Sequence, residues 1–273
     1  MPELPEVETT KRDLEKKLKG VSIRRVIVND PRIIRPHLAD SFSSRLTDQK
    51  ISAVTRRGKA IIITFASKNR YLIVQLMMTG QLIYTKNPAA QRFTRVTLVL
   101  SNDQHLHYND QRLFGRLQIV DEVSAVPYFK NLGPEPLMDN FQIPWLKQAL
   151  KKRSGPIKTL LMNHHFLAGI GNIYASEILF ACGIGPKRRA WSLKEKEIAA
   201  LHKATVDVLN EAVEYRGTSM QSYRDSSGKE GNFMKRIKVY GREGEPCVRC
   251  RKSTIKKIVL SGRSTFFCAE CQH

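Results

Sequence analysis

Leu132-Gly133-Pro134-Glu135-Pro136 divides this chain. Two prolines and a glycine in five residues stop both strand and helix, and the texture of the sequence differs on either side. On the N-terminal side lie eight short segments rich in β-branched and aromatic residues, 21–29, 51–56, 59–65, 71–76, 81–84, 93–100, 105–108 and 116–120. Ser101-Asn102-Asp103 between two of them is a hairpin signal. Strands this short and close together predict a sandwich or barrel. A helix from about Pro5 to Leu18 precedes them, with Leu4, Val7, Leu14 and Leu18 on one face and Gly20 closing it. On the C-terminal side the pattern turns helical over 143–150, 157–162, 173–181 and 193–215, and the Ser-, Thr- and Gly-rich stretch 217–229 reads as a mobile loop.

Four of the 5 cysteines stand in the tail as Cys247-Val-Arg-Cys250 and Cys268-Ala-Glu-Cys271. A two-residue gap lets both thiolates of a pair reach one ion, and the interval between pairs suits a hairpin that folds them around tetrahedral zinc. Two disulfides are the alternative, disfavoured in a chain with no secretory signal. Four thiolates leave no open coordination position, so the ion folds the tail and does no chemistry. Between the pairs, 253–260 and 265–267 read as strands around Ser261-Gly262-Arg263-Ser264, with Arg263 at the tip, placed for a phosphate or simply exposed in a turn. Cys182 lies in an apolar stretch and reads as a buried small side chain.

The formal net charge is +21, with 41% hydrophobic residues. That apolar fraction supports a core and argues against disorder, so the charge points to a polyanionic partner or to a solvated basic surface. No apolar run approaches the ~20 residues of a membrane span. Glu3, Glu6, Glu8, Asp13 and Glu15 break up the start, against a secretory signal. The reading is an intracellular, nucleic-acid-directed protein.

Three local features carry possible chemistry. Pro2 follows the initiator Met; removal of Met1 would expose a secondary amine that is partly neutral near pH 7 and able to attack a sugar C1′ and form an iminium. Glu3 and Glu6 stand beside it as proton carriers. Leu167-Ala-Gly-Ile-Gly-Asn172 is a glycine turn feeding a helix, with Asn172 as N-cap, either a structural cap or an anion site. Arg56-Arg57-Gly58-Lys59 is a basic turn between strands.

Together, Pro2-Glu-Leu-Pro-Glu-Val-Glu8, Arg57-Gly-Lys59, Gly133-Pro-Glu-Pro136, Ala168-Gly-Ile-Gly-Asn-Ile-Tyr174 and the four-cysteine tail resemble the bacterial formamidopyrimidine-DNA glycosylases, in the family's order from residue 2 to residue 271. The resemblance implies an α+β protein. A β-sandwich with an N-terminal helix would occupy 1–132, a helix–two-turns–helix domain with a lesion-capping loop 133–230, and a zinc-ribbon hairpin 238–273, with DNA clasped in the cleft. It implies excision of oxidised purines and cleavage at the resulting abasic site. Pro2 would be the nucleophile, Glu3 the main acid/base group with Glu6 in support, and Lys59 an assistant near the lesion's phosphate or sugar.

By the same resemblance Asn172 and Arg263 would grip phosphates around the flipped nucleotide. Lys158 and Tyr174 would serve the DNA-binding surface, and Gly217, Thr218, Ser219 and Tyr223 would close over the extruded base. Met78, in preference to Met77, would fill the vacated stack with Phe114, while Arg112 pairs with the orphaned base. The resemblance further implies one structural zinc, no redox or nucleotide cofactor, double-stranded DNA with oxidised purines or abasic sites as partner, a monomer, and a bacterial cytoplasmic location on the nucleoid.

The chain departs from the family pattern in three places. Gln75 replaces a usual His, Leu113 stands where a basic residue adjoins the Phe, and Asn163-His164 replaces an Asp-x pattern. Two rivals remain: an endonuclease VIII-like enzyme for oxidised pyrimidines, and a catalytically inactive DNA-binding paralogue. Leu4, Arg112, Phe114 and Lys158 speak against the first; Pro2, Glu3 and Lys59 against the second.

Overall fold

Eight antiparallel strands form where the β-branched and aromatic segments predicted them. The structure, a computed structural model, describes residues 1–273. After α1 (Leu4–Leu18) come β1 (Ile23–Val28), α2 (Ala39–Leu46), β2 (Ile51–Arg57), β3 (Ala60–Phe65), β4 (Tyr71–Gln75), β5 (Gln81–Thr85), β6 (Thr94–Leu100), β7 (His105–Asn109) and β8 (Arg116–Val120). They make two four-stranded sheets, ordered β1-β6-β7-β5 and β2-β3-β4-β8. One apolar core joins the sheets: Val26, Val96, Leu98 and Leu106 from the first meet Val54, Ile61, Ile63 and Val74 from the second. Helices contribute Leu14, Leu18, Phe42 and Leu46 to the same core. Each such side chain removed from water is worth about 1.5–3 kcal/mol before entropy is counted. Strand β3 is buried on both faces, because Ala60 and Ile62 meet Ile73 and Val126 on the outer side. The sequence reading did not contain α2. It is eight residues long, and its only large apolar residues are Phe42 and Leu46, one turn apart and both fully buried.

The rest of the chain supplies α3 (Ile143–Lys151), α4 (Ile157–Leu161), α5 (Asn172–Cys182), α6 (Glu195–Glu214) and the hairpin β9 (Ile255–Leu260) and β10 (Arg263–Cys268). The chain is thus α+β with two compact units, Met1–Asn131 with Tyr215–Met234, and Leu132–Glu214 with Lys235–His273. Residues 215–230, expected within the helical domain, group instead with the sandwich. They are hydrogen-bonded to it: the Tyr84 N–H donates to Ser226 O at 2.8 Å and the Thr218 N–H to Glu6 Oε1 at 2.7 Å. The expected mobile loop is therefore tied to the sandwich at both ends. No helix is long and apolar enough to cross a membrane.

Candidate active site and nucleic-acid interface

Helix α1 begins immediately after Pro2, with Glu3 at its N-cap and Pro5 in its first turn. Glu6 Oε2 accepts the Glu3 N–H at 2.7 Å, satisfying one of the helix's orphan donors. Its other oxygen accepts the Thr218 N–H at 2.7 Å, and the Tyr223 hydroxyl donates to the Glu6 carbonyl at 3.3 Å. Pro2, Glu3 and Glu6 are buried, and so are Gly217, Thr218 and Tyr223. Gly217 has φ +78, and a Cβ there would lie 2.8 Å from Glu6 Oε1, so the loop passes the carboxylate only as glycine. Within the loop the Ser219 hydroxyl donates to Tyr223 O at 2.8 Å and accepts the Gly231 N–H at 2.8 Å. Burial pushes the Tyr223 hydroxyl well above the ordinary phenol range.

Lys59 follows the β2–β3 turn, and its N–H donates to the Tyr128 hydroxyl at 2.8 Å. The turn is braced from α1. Glu8 accepts Arg56 Nε at 2.8 Å and Arg12 Nε at 2.7 Å, while Arg56 donates to Gly58 O at 2.9 Å. Burial opposes the charge on Glu8, but Arg56 and Arg12 outweigh it and hold its carboxyl below the usual carboxylate range.

Two other turns of the sandwich carry Met78, Arg112 and Phe114. Fully buried Asp110 stitches them together, accepting the Thr79 hydroxyl from one turn, and the N–H groups of Arg112 at 3.2 Å and Gly115 at 2.8 Å from the other. Phe114 is 48% exposed, with the Arg112 guanidinium 4.8 Å from its ring centroid. Met78 is half-buried and its carbonyl accepts the Ser222 hydroxyl at 3.1 Å, whereas Met77, at φ +51, is the more exposed. Leu113 explains itself: at φ +59 it turns inward and packs on the sandwich core. Gln75 pairs with Ala60 and Arg116 in the second sheet, and its carbonyl accepts the Tyr108 hydroxyl at 3.2 Å.

In the second unit four placements differ from the sequence expectations. Asn172 is the first residue of α5, not its cap, which is Gly171. The side chain is thereby free of capping and donates to Ser264 O at 3.0 Å and the Tyr240 hydroxyl at 3.4 Å. Lys158, expected at the DNA surface, is 1% exposed, and its ammonium donates to Asn172 Oδ1 at 2.6 Å, Thr265 Oγ1 at 2.8 Å and Ser264 O at 3.0 Å. It is a buried tie among α4, α5 and β10. Tyr174, also expected at that surface, is fully buried in the first turns of α5. Arg263 is exposed, but it opens β10 paired with Leu260, and the turn itself is Ser261-Gly262, both at positive φ. Asn163 does the work of an Asp, its Oδ1 accepting the His165 N–H at 2.9 Å.

Sequence reasoning missed Asp110, Glu177 and Tyr240. Glu177, 3% exposed in α5, accepts the N–H groups of Lys238 at 2.9 Å, Val239 at 3.0 Å and Tyr240 at 2.8 Å. That fixes the segment that brings the Tyr240 hydroxyl to Asn172. An acid in the middle of a largely apolar helix was the available signal for Glu177.

The four cysteine Sγ atoms lie within 4.8 Å of one another, with Cys247–Cys271 and Cys250–Cys268 both at 3.8 Å. A tetrahedron with Zn–S bonds of ~2.3 Å has edges of about 3.8 Å, so the thiolates fit zinc. The knuckles pack with Phe180, Val239, Ile255 and Phe266, and Arg249 donates to the end of α5 at Phe180 O, 2.7 Å. Cys182 stands apart, half-buried, and burial pushes its thiol up to about 11.

Fold and site together define a zinc-ribbon protein of the helix–two-turns–helix class. The model of the formamidopyrimidine-DNA glycosylase N-terminal domain matches residues 1–117, that of the family's H2TH domain 132–224, and a zinc finger found in Fpg and IleRS 244–273. The chain is 44% identical to the formamidopyrimidine-DNA glycosylase of Pelotomaculum thermopropionicum, covering 100% of this chain and 99% of that one. Among solved structures, the MutM (Fpg) protein of Thermus thermophilus has a TM-score of 0.88 at 38% identity over 99% of this chain and 98% of that one. Lactococcus lactis Fpg bound to DNA containing an abasic site has a TM-score of 0.91 at 33% identity, covering 99% of each chain. The chain belongs to the formamidopyrimidine-DNA glycosylase family.

Proposed function

We propose that this protein is a base-excision repair enzyme that flips oxidised purines out of double-stranded DNA, excises them and cleaves the strand at the abasic site. The observation that carries the reading is Glu6, one carboxylate joining the backbone beside Pro2 to the loop at Thr218. With Met1 removed, the Pro2 nitrogen attacks C1′ of the flipped nucleotide, the C1′–N bond to the base breaks, and the base leaves with a proton. Glu3 is the acid/base group and Glu6 orients it and the loop. The sugar ring opens to an iminium between Pro2 and C1′. Loss of a C2′ proton expels the 3′ phosphate, and loss of a C4′ proton expels the 5′ phosphate, leaving a one-nucleotide gap.

Lys59 assists at the phosphate or sugar, and Asn172 and Arg263 grip the flanking phosphates. Lys158 acts behind them as a positioning residue, and Tyr174 supports the core of the helical unit. Met78 and Phe114 fill the vacated stack while Arg112 meets the orphaned base. Loop 217–223 closes over the base. The ribbon's one zinc supplies folding energy and nothing else. The enzyme acts as a monomer in the bacterial cytoplasm, on the nucleoid.

Borohydride trapping tests the reading on duplexes bearing 8-oxoguanine, thymine glycol or an abasic site. A covalent adduct on the 8-oxoguanine and abasic duplexes is expected. Adducts with thymine glycol in place of 8-oxoguanine would favour an oxidised-pyrimidine enzyme, and no adduct on any duplex a non-catalytic binder.

A further inference from the structure

Arg216 stands immediately before the loop and holds both of its feet. Its Nε and one terminal nitrogen donate to Asp225 Oδ2 at 2.9 and 2.7 Å. Its two terminal nitrogens also reach Asp13 on α1, at 2.5 Å to Oδ2 and 3.3 Å to Oδ1. Asp225 is 2% exposed at its side chain, and its other oxygen accepts the N–H groups of Ser227 at 2.9 Å and Lys229 at 3.0 Å. The far foot is fastened to the sandwich too. The Ser226 hydroxyl donates to Asp13 Oδ2 at 3.1 Å, and Lys17 Nζ donates to the same hydroxyl at 3.1 Å. Arg216 thus closes a ring at the base of the loop, tied to one face of α1.

The backbone of Arg216 is at φ +63, a conformation that a side chain other than glycine's takes only where its surroundings hold it. The loop tip is bare by comparison: Met220 is 44% exposed. A loop with fixed feet has little conformational freedom left to lose when its tip adopts one shape; a loop with a loose foot must lose it again at each encounter.

We propose that Arg216 is a positioning residue for base excision: its clasp on Asp13 and Asp225 sets loop 217–223 in the arrangement where the Thr218 N–H meets Glu6. The inference rests on the reading of that loop as the cover of the extruded base. Excision of a base needs the cover, whereas cleavage at a preformed abasic site, with no base to enclose, does not.

The test uses full-length R216G, since glycine takes the same φ without strain and keeps the fold, beside R216K and D13N. Amide exchange of 218–224 in the free enzyme reads the clasp. Single-turnover rates on 8-oxoguanine and abasic duplexes read its consequence. In R216G the loop amides are expected to exchange, and the excision rate to fall, by about tenfold or more, with abasic cleavage kept within about twofold. D13N should follow R216G, and R216K should recover part of both effects. Unchanged exchange overturns the clasp. A deletion of Met220 and Gln221 separates the two layers. If it abolishes excision while R216G, with a freed loop, excises normally, the role of Arg216 is overturned and the covering loop stands. Normal excision in both variants overturns the covering loop and the inference with it.

Discussion

Glu6 Oε1 accepts the Thr218 N–H at 2.7 Å across 212 positions of sequence. The carboxylate's second oxygen takes the Glu3 N–H, so neither oxygen is spare. E6Q turns one acceptor into a donor facing an N–H. It is expected to slow excision of 8-oxoguanine by about 100-fold, the low end of the ~10²–10⁴-fold that a positioned acid/base group contributes, and to speed amide exchange at Thr218. Single-turnover kinetics and exchange on the same preparation check it; intact protection at Thr218 would count against the coupling.

Lys158 and Arg263 should part company in their salt response. K158M strands buried acceptors at Asn172 and Thr265, which costs about 1–3 kcal/mol each, and it loosens β10 against α4 and α5. DNA affinity should fall at every salt concentration while the slope of log Kd against log salt stays fixed. With Arg263 on a phosphate, as proposed, R263A should reduce that slope by about 1. A reduced slope in K158M would return Lys158 to the DNA backbone.

The pairing of Glu8 with Arg56 predicts a pH signature. Glu8 has its carboxyl lowered in the folded state, so its contribution is complete above the unfolded value near ~4.3 and is lost as pH falls through the lower folded one. E8Q removes a carboxylate that pairs with Arg56, 5% exposed, and is expected to destabilise the fold at neutral pH. Denaturation midpoints of the two proteins should differ at pH 7 and converge toward pH 3. A gap that persists in acid would contradict this assignment.

The strands and the zinc ribbon were legible because their signals are local. A short run of β-branched and aromatic residues exposes a strand, and two close cysteine pairs expose a metal site whatever surrounds them. Helix α2 was not, since its two large apolar residues are too few to set a period. Nor was the burial of Lys158: its three acceptors come from residues 14 and about a hundred positions away, and a lysine reads as surface until they are known. Asp110, Glu177 and Tyr240 were hidden for the same reason. Loop 217–223 was readable as polar and glycine-rich, but its anchoring comes from Glu6, Asp13 and Met78, which no local pattern reveals.

Removing the metal gives a thiol count. Chelated protein should expose the four cluster cysteines to a thiol reagent at pH 8, with loss of ribbon structure, while Cys182, its thiol raised to about 11, reacts slowly. Rapid reaction of all five, or none, would contradict the separation of Cys182 from the site.

Met77 and Met78 can be told apart by substitution. Unstacking a base step costs about a few kcal/mol, which an apolar wedge partly offsets. M78A is expected to slow excision about tenfold or more while M77A stays within about twofold. The reverse order would move the wedge to the more exposed Met77.

The central claim is the nucleophile. Peptide mapping of the borohydride-trapped adduct with abasic DNA, by mass spectrometry, tests it most directly. The account requires a chain lacking Met1, with the sugar remnant on the Pro2 nitrogen and no adduct in P2G. An adduct on a lysine, or an efficient adduct formed by protein that retains Met1, would contradict it.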